Sequence, residues 1–261
     1  MARAYASASS QYHEIASAVA TVAPFTMACW GYAAATGVAA QVVMALGTSV
    51  TTVGRHILYF GGTSFTANNS VVAQSVSNDG VTAGSAITST TYAATTWTHL
   101  CGVWTSTASR TAYINGGSAV TETTTVAPTG LDRTNLGTRW NTTRGLFLNG
   151  RLAECGIWNV ALTADEVATL AAGYSPLFVR PTALVGYWPL FARGTNEEQW
   201  SGVSAFVPTN TPTATQHPPR IIYPSRPRII IPAAAAASTT YPQLERGIRG
   251  MNRGMNMGMA A

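Results

Sequence analysis

The chain has 261 residues, of which 10% are charged, and a formal net charge of +5. Globular proteins average about 25% charged residues, so Ser, Thr, Asn and Gly must cover most of the surface. Residues 1–179 hold seven Arg and seven acids and residues 180–261 hold eight Arg and three acids, so a neutral body precedes a basic tail, which excludes reading the body as a nucleic-acid-binding domain.

Taken in order, residues 11–16 read as the first strand, with no apolar leader before them and no apolar run long enough to span a membrane. Neither export nor membrane insertion is therefore expected. Further strands are expected at 25–33, 40–47, 55–61, 69–76, 83–88, 97–105, 110–115, 118–125, 133–140, 147–160 and 183–190. Spacing near ten residues, with turn formers between, is the pattern of a sandwich of two sheets.

In 98–105, Leu100, Gly102 and Trp104 share one face, while His99, Cys101 and Val103 share the other. Both faces are apolar or small, as in a strand covered on both sides. Asn115-Gly116 is a hairpin signal, because both residues tolerate positive φ. Thr163 and Glu166 fit a capping box, Val167 and Leu170 give one apolar stripe, and Gly173 is the stop. One short helix is expected. Cys29, Cys101 and Cys155 are odd in number and widely spaced, which favours buried free thiols over a disulfide frame or a zinc site.

The candidate chemistry is sparse. A glycosidase needs two carboxylates flanking the scissile bond, but the paired acids Asp165-Glu166 and Glu197-Glu198 are adjacent in sequence and diverge. His13, His56, His99 and His217 are scattered, and no Gly-x-Ser-x-Gly elbow occurs, so no enzyme is expected. Trp140, between Arg139 and Asn141 and close to Arg144, is the candidate sugar-stacking group, with those neighbours as hydrogen-bond donors and acceptors. The alternative is a Trp packed on the sandwich edge.

The order of hairpin (97–117), strand (150–162) and helix (163–170) resembles the laminin-G-like, concanavalin-A-like jelly-roll domains. Pro24-Phe25-Thr26-Met27-Ala28-Cys29-Trp30 resembles their early core strand, and Val185-Gly186-Tyr187-Trp188-Pro189-Leu190 their closing strand. The resemblance covers about residues 5–205. It implies an all-β jelly-roll sandwich with one short helix, and a binding or assembly module rather than a catalyst. Some relatives carry one calcium ion at the rim, for which Asp79 and Asp132 are the candidate oxygen ligands. Where relatives have an acidic turn after the closing strand, this chain reads Arg193-Gly194-Thr195-Asn196-Glu197-Glu198, so no cofactor is expected.

The jelly roll is placed at 1–206, followed by an extended Pro/Arg/Ile-rich arm and a Gly/Met/Arg-rich low-complexity tail at 207–261. The arm contains a repeated Pro-Arg-Ile-Ile unit. Arg220, Ile221, Ile222, Tyr223, Arg226, Arg228, Ile229, Ile230 and Ile231 are its candidate docking residues. A lectin-like body without an export signal, followed by a basic arm, leads us to expect a structural protein of a tailed-phage particle. It would be made in the host cytoplasm and carried on the virion. In that reading it is a capsid decoration (cement) protein that oligomerises on the particle and docks its arm onto the major capsid protein or another virion protein. The alternative is a carbohydrate-binding adhesin of a tail or fibre that recognises host glycans.

Overall fold

The structure, a computed structural model, describes residues 1–49, 53–63, 68–200 and 204–224. In chain order the strands are β1 (Ala2–Tyr5), β2 (Tyr12–Ile15), β3 (Phe25–Ala33), β4 (Gln41–Gly47), β5 (Arg55–Phe60), β6 (Ser70–Val76) and β7 (Ala83–Thr91). Next come β8 (Trp97–Ser106), β9 (Ser109–Ile114), β10 (Gly117–Glu122), β11 (Arg133–Leu136), β12 (Arg139–Asn141), β13 (Thr143–Gly145) and β14 (Gly150–Trp158). Helix α1 (Ala164–Ala171) precedes β15 (Leu184–Trp188), β16 (Glu197–Glu198), β17 (Ala205–Thr209) and β18 (Thr213–Thr215).

Two large antiparallel sheets pack as a sandwich, the expected all-β jelly roll. The first runs β10-β9-β8-β3-β14-β1-β18, with β15 also paired to β14; the second runs β16-β17-β2-β11-β4-β5-β6-β7. Between them lies a core that includes Phe25, Met27, Leu58, Phe60, Leu100, Trp104, Ile157 and Trp188. The opposite face of the first sheet is closed by α1, whose Val167 and Leu170 pack with Cys101, Val103 and Trp158. The two faces read from 98–105 are thus both buried. Thr163 accepts from the Glu166 backbone while the Glu166 carboxylate accepts from the Thr163 N–H, completing the capping box. Asn115 (φ 50°) and Gly116 (φ 78°) make the hairpin turn. The three cysteines are free and buried.

Three tryptophans share one packing device. Gly102, Gly156 and Gly186 each precede a fully buried Trp by two residues on the same strand: Trp104, Trp158 and Trp188. The indole folds back over the glycine, so that a Cβ there would lie 2.6, 2.7 or 2.3 Å from the ring. Period-two geometry puts residues i and i+2 on one face, and only a missing side chain leaves room for the ring.

Two expectations change. The strand expected at 133–140 breaks at Gly137, which adopts φ 77° over the Tyr5 ring. Trp140 therefore leaves the sheet in a separate hairpin, β12–β13, that packs over β4. The body also extends past residue 206. β17 continues the second sheet beside β2, and β18 continues the first beside β1. β-branched Val207, Thr209, Thr213 and Thr215 suit strands. Pro208 is tolerated because β16 pairs only with Ala205 and Phe206, which leaves that side of Pro208 unpaired. Strand β1 was not anticipated.

Candidate functional site

Strand β14 pairs with β3 along one side, while β1 and β15 share the other side end to end. Glu154 sits in the gap between them, at a register shift and with φ 55°. Non-glycine residues rarely adopt that conformation, and they do so where the surroundings over-determine it. The carboxylate is buried and takes three hydrogen bonds. Tyr187 Oη donates to Oε2 at 2.5 Å, and Tyr223 Oη (2.6 Å) and His217 Nε2 (3.0 Å) donate to Oε1. Ser175 Oγ donates to Tyr187 Oη at 3.2 Å. Burial, reinforced by the Glu154 charge, pushes the Tyr187 and Tyr223 phenols well above their ordinary range. Both therefore remain donors.

Beside this cluster the 189–200 loop encloses a cleft of about 610 Å³, lined by Phe191, Arg193, Asn196, Glu198 and Trp200 among others. Trp200 is 51% exposed. Its backbone N–H donates to the Tyr187 carbonyl at 2.8 Å and its ring lies 6.0 Å from the Tyr187 ring. Phe191 packs against His217 and Tyr223, and the Arg193 guanidinium lies 5.1 Å above it. The loop is braced from below by Arg3. This buried side chain pairs with Glu197 and donates to the carbonyls of Pro212 (2.9 Å) and Gly194. Burial raises the Glu197 carboxyl while Arg3 pulls it back down. With Glu197 taken by Arg3 and Glu154 capped by three donors, Glu198 is the open carboxylate of the cleft. Aromatic faces with a guanidinium, a carboxamide and a carboxylate suit stacking on a sugar ring and bonding its hydroxyls.

The residues singled out from sequence fall elsewhere. Arg139, Trp140 and Arg144 all lie on the β12–β13 hairpin over the outer face of the second sheet, where Trp140 and Arg144 are cross-strand partners and Arg139 stands opposite Gly145. Trp140 is half-buried there rather than free at a loop tip, because Arg144 covers it: the guanidinium lies 4.7 Å from the Trp140 ring and 4.0 Å from that of Tyr12. Arg144 also pairs with Glu14 and donates to Asn135 Oδ1 at 3.0 Å. Asn141 belongs to β12. Asp79 accepts from Ser77 and Val81 within its own turn. Asp132 accepts twice from Ser49 and lies 3.3 Å from Arg133. Among the described residues no cluster of three His, Cys, Asp or Glu could hold a metal ion.

Of the arm residues, Ile222 docks on the body itself, in a parallel bridge to Tyr174. Its N–H donates to Gly173 O at 2.8 Å, and Ser175 N–H donates to Ile222 O at 2.9 Å. Gly173 is needed there, since a Cβ would meet Arg220 O at 2.4 Å. Ile221 and Tyr223 are half-buried alongside, while Arg220 is exposed. Arg226, Arg228, Ile229, Ile230 and Ile231 lie outside the described residues. Sequence reasoning passed over Trp200 and Glu154. A Trp closing the polar run 194–199, and a lone acid inside an apolar strand, were the signals available.

The family model described as the concanavalin A-like lectin/glucanases superfamily matches residues 7–168, more than half of the chain. The chain belongs to this family. No curated relative matches its sequence. Among solved structures, it is similar to a putative carbohydrate binding protein from Bacteroides ovatus. That match has 17% identity and a TM-score of 0.58, covering 85% of this chain and 61% of that one. The heptameric SAP-like pentraxin from Limulus polyphemus matches at 15% identity and TM-score 0.49, covering 62% and 75%. The enzymatically active domain of tailspike protein 2 from bacteriophage CBA120 matches at 15% and 0.47, covering 73% and 31%. The chain thus spans about three fifths of the Bacteroides protein and under a third of the tailspike. At these identities the likeness is one of fold. No helix among the described residues is long and apolar enough to cross a membrane.

Proposed function

We propose that the protein is a non-catalytic carbohydrate-binding module of the concanavalin A-like superfamily, with its sugar seated in the cleft between Phe191 and Trp200. The observation that carries this is Trp200, a large aromatic left half-exposed beside Phe191 and next to Arg193, Asn196 and Glu198. Stacking contacts of this kind contribute about 0.5–1.5 kcal/mol beyond area burial. Trp200→Ala should therefore weaken glycan binding at least tenfold once the lost area is included, with the fold intact. Glycan-array screening followed by calorimetry on both proteins tests it. A folded protein that binds no glycan, or one whose binding survives Trp200→Ala, refutes the assignment.

A second reading is a structural protein on a virus particle, either a capsid decoration protein or an appendage subunit. Its support is the Pro-Arg-Ile-Ile repeat. The first copy, 219–222, pairs by backbone against the turn at Gly173–Ser175. A second copy at 227–230 would add to a neighbouring subunit in the same mode. Many copies on a lattice would give avidity. Truncation after Pro224 keeps β17, β18 and the Ile222 bridge. It should leave a folded protein that no longer co-purifies with particles, and unchanged incorporation would sink this reading. The two roles are compatible in one adhesin.

A further inference from the structure

We propose that the outer face of the second sheet, beneath the β12–β13 hairpin, is an oxyanion-binding site that takes a carboxylate or sulfate group. The register places its parts. Arg133 and Arg55 both stand opposite Gly47, on the two sides of β4, and Asn135 lies one side-chain row along on the same face. The hairpin packed over β4 adds Arg139 and Trp140, successive residues of β12 that flank it on its two sides.

Three buried polar atoms on this face have no hydrogen-bond partner among the described residues: Arg55 Nε, Asn135 Nδ2 and Trp140 Nε1. All three are donors. Unsatisfied buried donors are rare in native proteins, and several on one face call for an acceptor from outside. The charges agree. Arg133 and Arg144 share Glu14, whereas Arg55 and Arg139 take part in no ion pair among the described residues. Arg55 donates from Nη1 to its neighbour Val53 O at 2.6 Å. Burial and the nearby Arg139 charge lower Arg55 from its ordinary value to about 10, and burial lowers Arg139. Two half-buried guanidinium groups that repel one another gain from an anion set between them, and planar guanidinium donors match a carboxylate or sulfate in shape. A cation or a neutral apolar ligand would leave the donors unmet.

The site does not rest on the Phe191–Trp200 cleft, and the test separates the two. The full chain, labelled at the tryptophan indoles, is titrated with glucuronate, inorganic sulfate and glucose at constant ionic strength with chloride as the balancing salt. Indole N–H signals are followed by NMR, and affinities by calorimetry. The expected result is a saturable shift of the Trp140 indole N–H with glucuronate or sulfate, none with glucose, and no dependence on Trp200→Ala. Arg139→Gln should weaken the binding at least tenfold. Arg139 lies on the small hairpin, so the variant leaves both large sheets untouched; Arg55→Gln is the second test. Tighter binding of glucuronate assigns an acidic saccharide, equal or tighter binding of sulfate assigns a free anion, and either supports the site. Absence of a shift with both anions, or binding unchanged in both arginine variants, overturns it.

Discussion

Acid should unfold this protein through its histidines. His13, His56 and His99 are buried on three different strands, and burial lowers each from 6.5 to about 3. Nearby Arg3 and Arg110 reinforce the effect at His13 and His56. Their surroundings favour the neutral ring. His56 Nδ1 lies 2.8 Å from Ser75 Oγ, which accepts from Trp104 Nε1 at 2.9 Å, and His13 Nδ1 lies 2.9 Å from Tyr5 Oη. His99 Nδ1 has no partner among the described residues. Below pH 6.5 the unfolded chain takes up three protons that the folded chain refuses. Stability is therefore complete above about pH 6.5 and is lost as pH falls toward 3, at roughly 1.4 kcal/mol per group per pH unit. Three groups over two pH units remove roughly 8 kcal/mol, against a typical total of about 5–15 kcal/mol. Glu197, raised by burial, works in the opposite sense, but it is one group against three. Urea unfolding at half-unit steps from pH 7.5 to 4.5 should show a falling midpoint at constant m-value and loss of the fold near pH 4 to 5. His99→Gln should reduce the slope by about a third, whatever it does to stability at neutral pH. Stability that stays flat between pH 6.5 and 5 would refute the reasoning.

Gly186→Ala sets a methyl 2.3 Å from the buried Trp188 ring and should cost about 1–3 kcal/mol by overpacking. Gly117→Ala, which meets nothing within 4 Å, should stay within about 0.5 kcal/mol; equal denaturation midpoints for the two would contradict the packing account. Arg3→Met leaves Glu197 buried without its partner and should cost about 3–5 kcal/mol, much of it recovered in the double variant with Glu197→Gln. A double-mutant cycle by chemical denaturation measures this, and strict additivity would mean that the pair does not brace the cleft loop.

The strands were legible because their signals are local. Alternation and turn formers mark β3 to β6, β8 and β9 to within a residue at each end, β7 and β10 are found but end three residues later and three earlier than expected, and the capping box marks α1. Features made by contacts distant in sequence were not legible. Ala2–Tyr5 is a strand because its backbone pairs with β14 and β18, with Arg3 reaching Glu197 and Pro212, and nothing in four residues announces that. The break at Gly137 was written as a glycine, yet a glycine inside a strand pattern does not declare whether it bulges, bends or merely fits. Trp140 was chosen for its polar neighbours, and those same neighbours, Arg144 above all, cover it in the fold. Trp200 satisfies the same criterion from sequence, and exposure alone separates the two.

Glu154 shows most directly how the body and the segment after residue 206 depend on each other. A strand interior disfavours both its charge and its positive φ, so the position is stable only if donors arrive from elsewhere. One donor, Tyr187, comes from the closing strand; the other two, His217 and Tyr223, come from the segment that also forms the Ile222 bridge. Those same two rings flank Phe191, which lines the cleft. The chain after β18 is therefore the third wall of the buried carboxylate and part of the support for the candidate sugar site. A boundary drawn at 206 would remove both from the body.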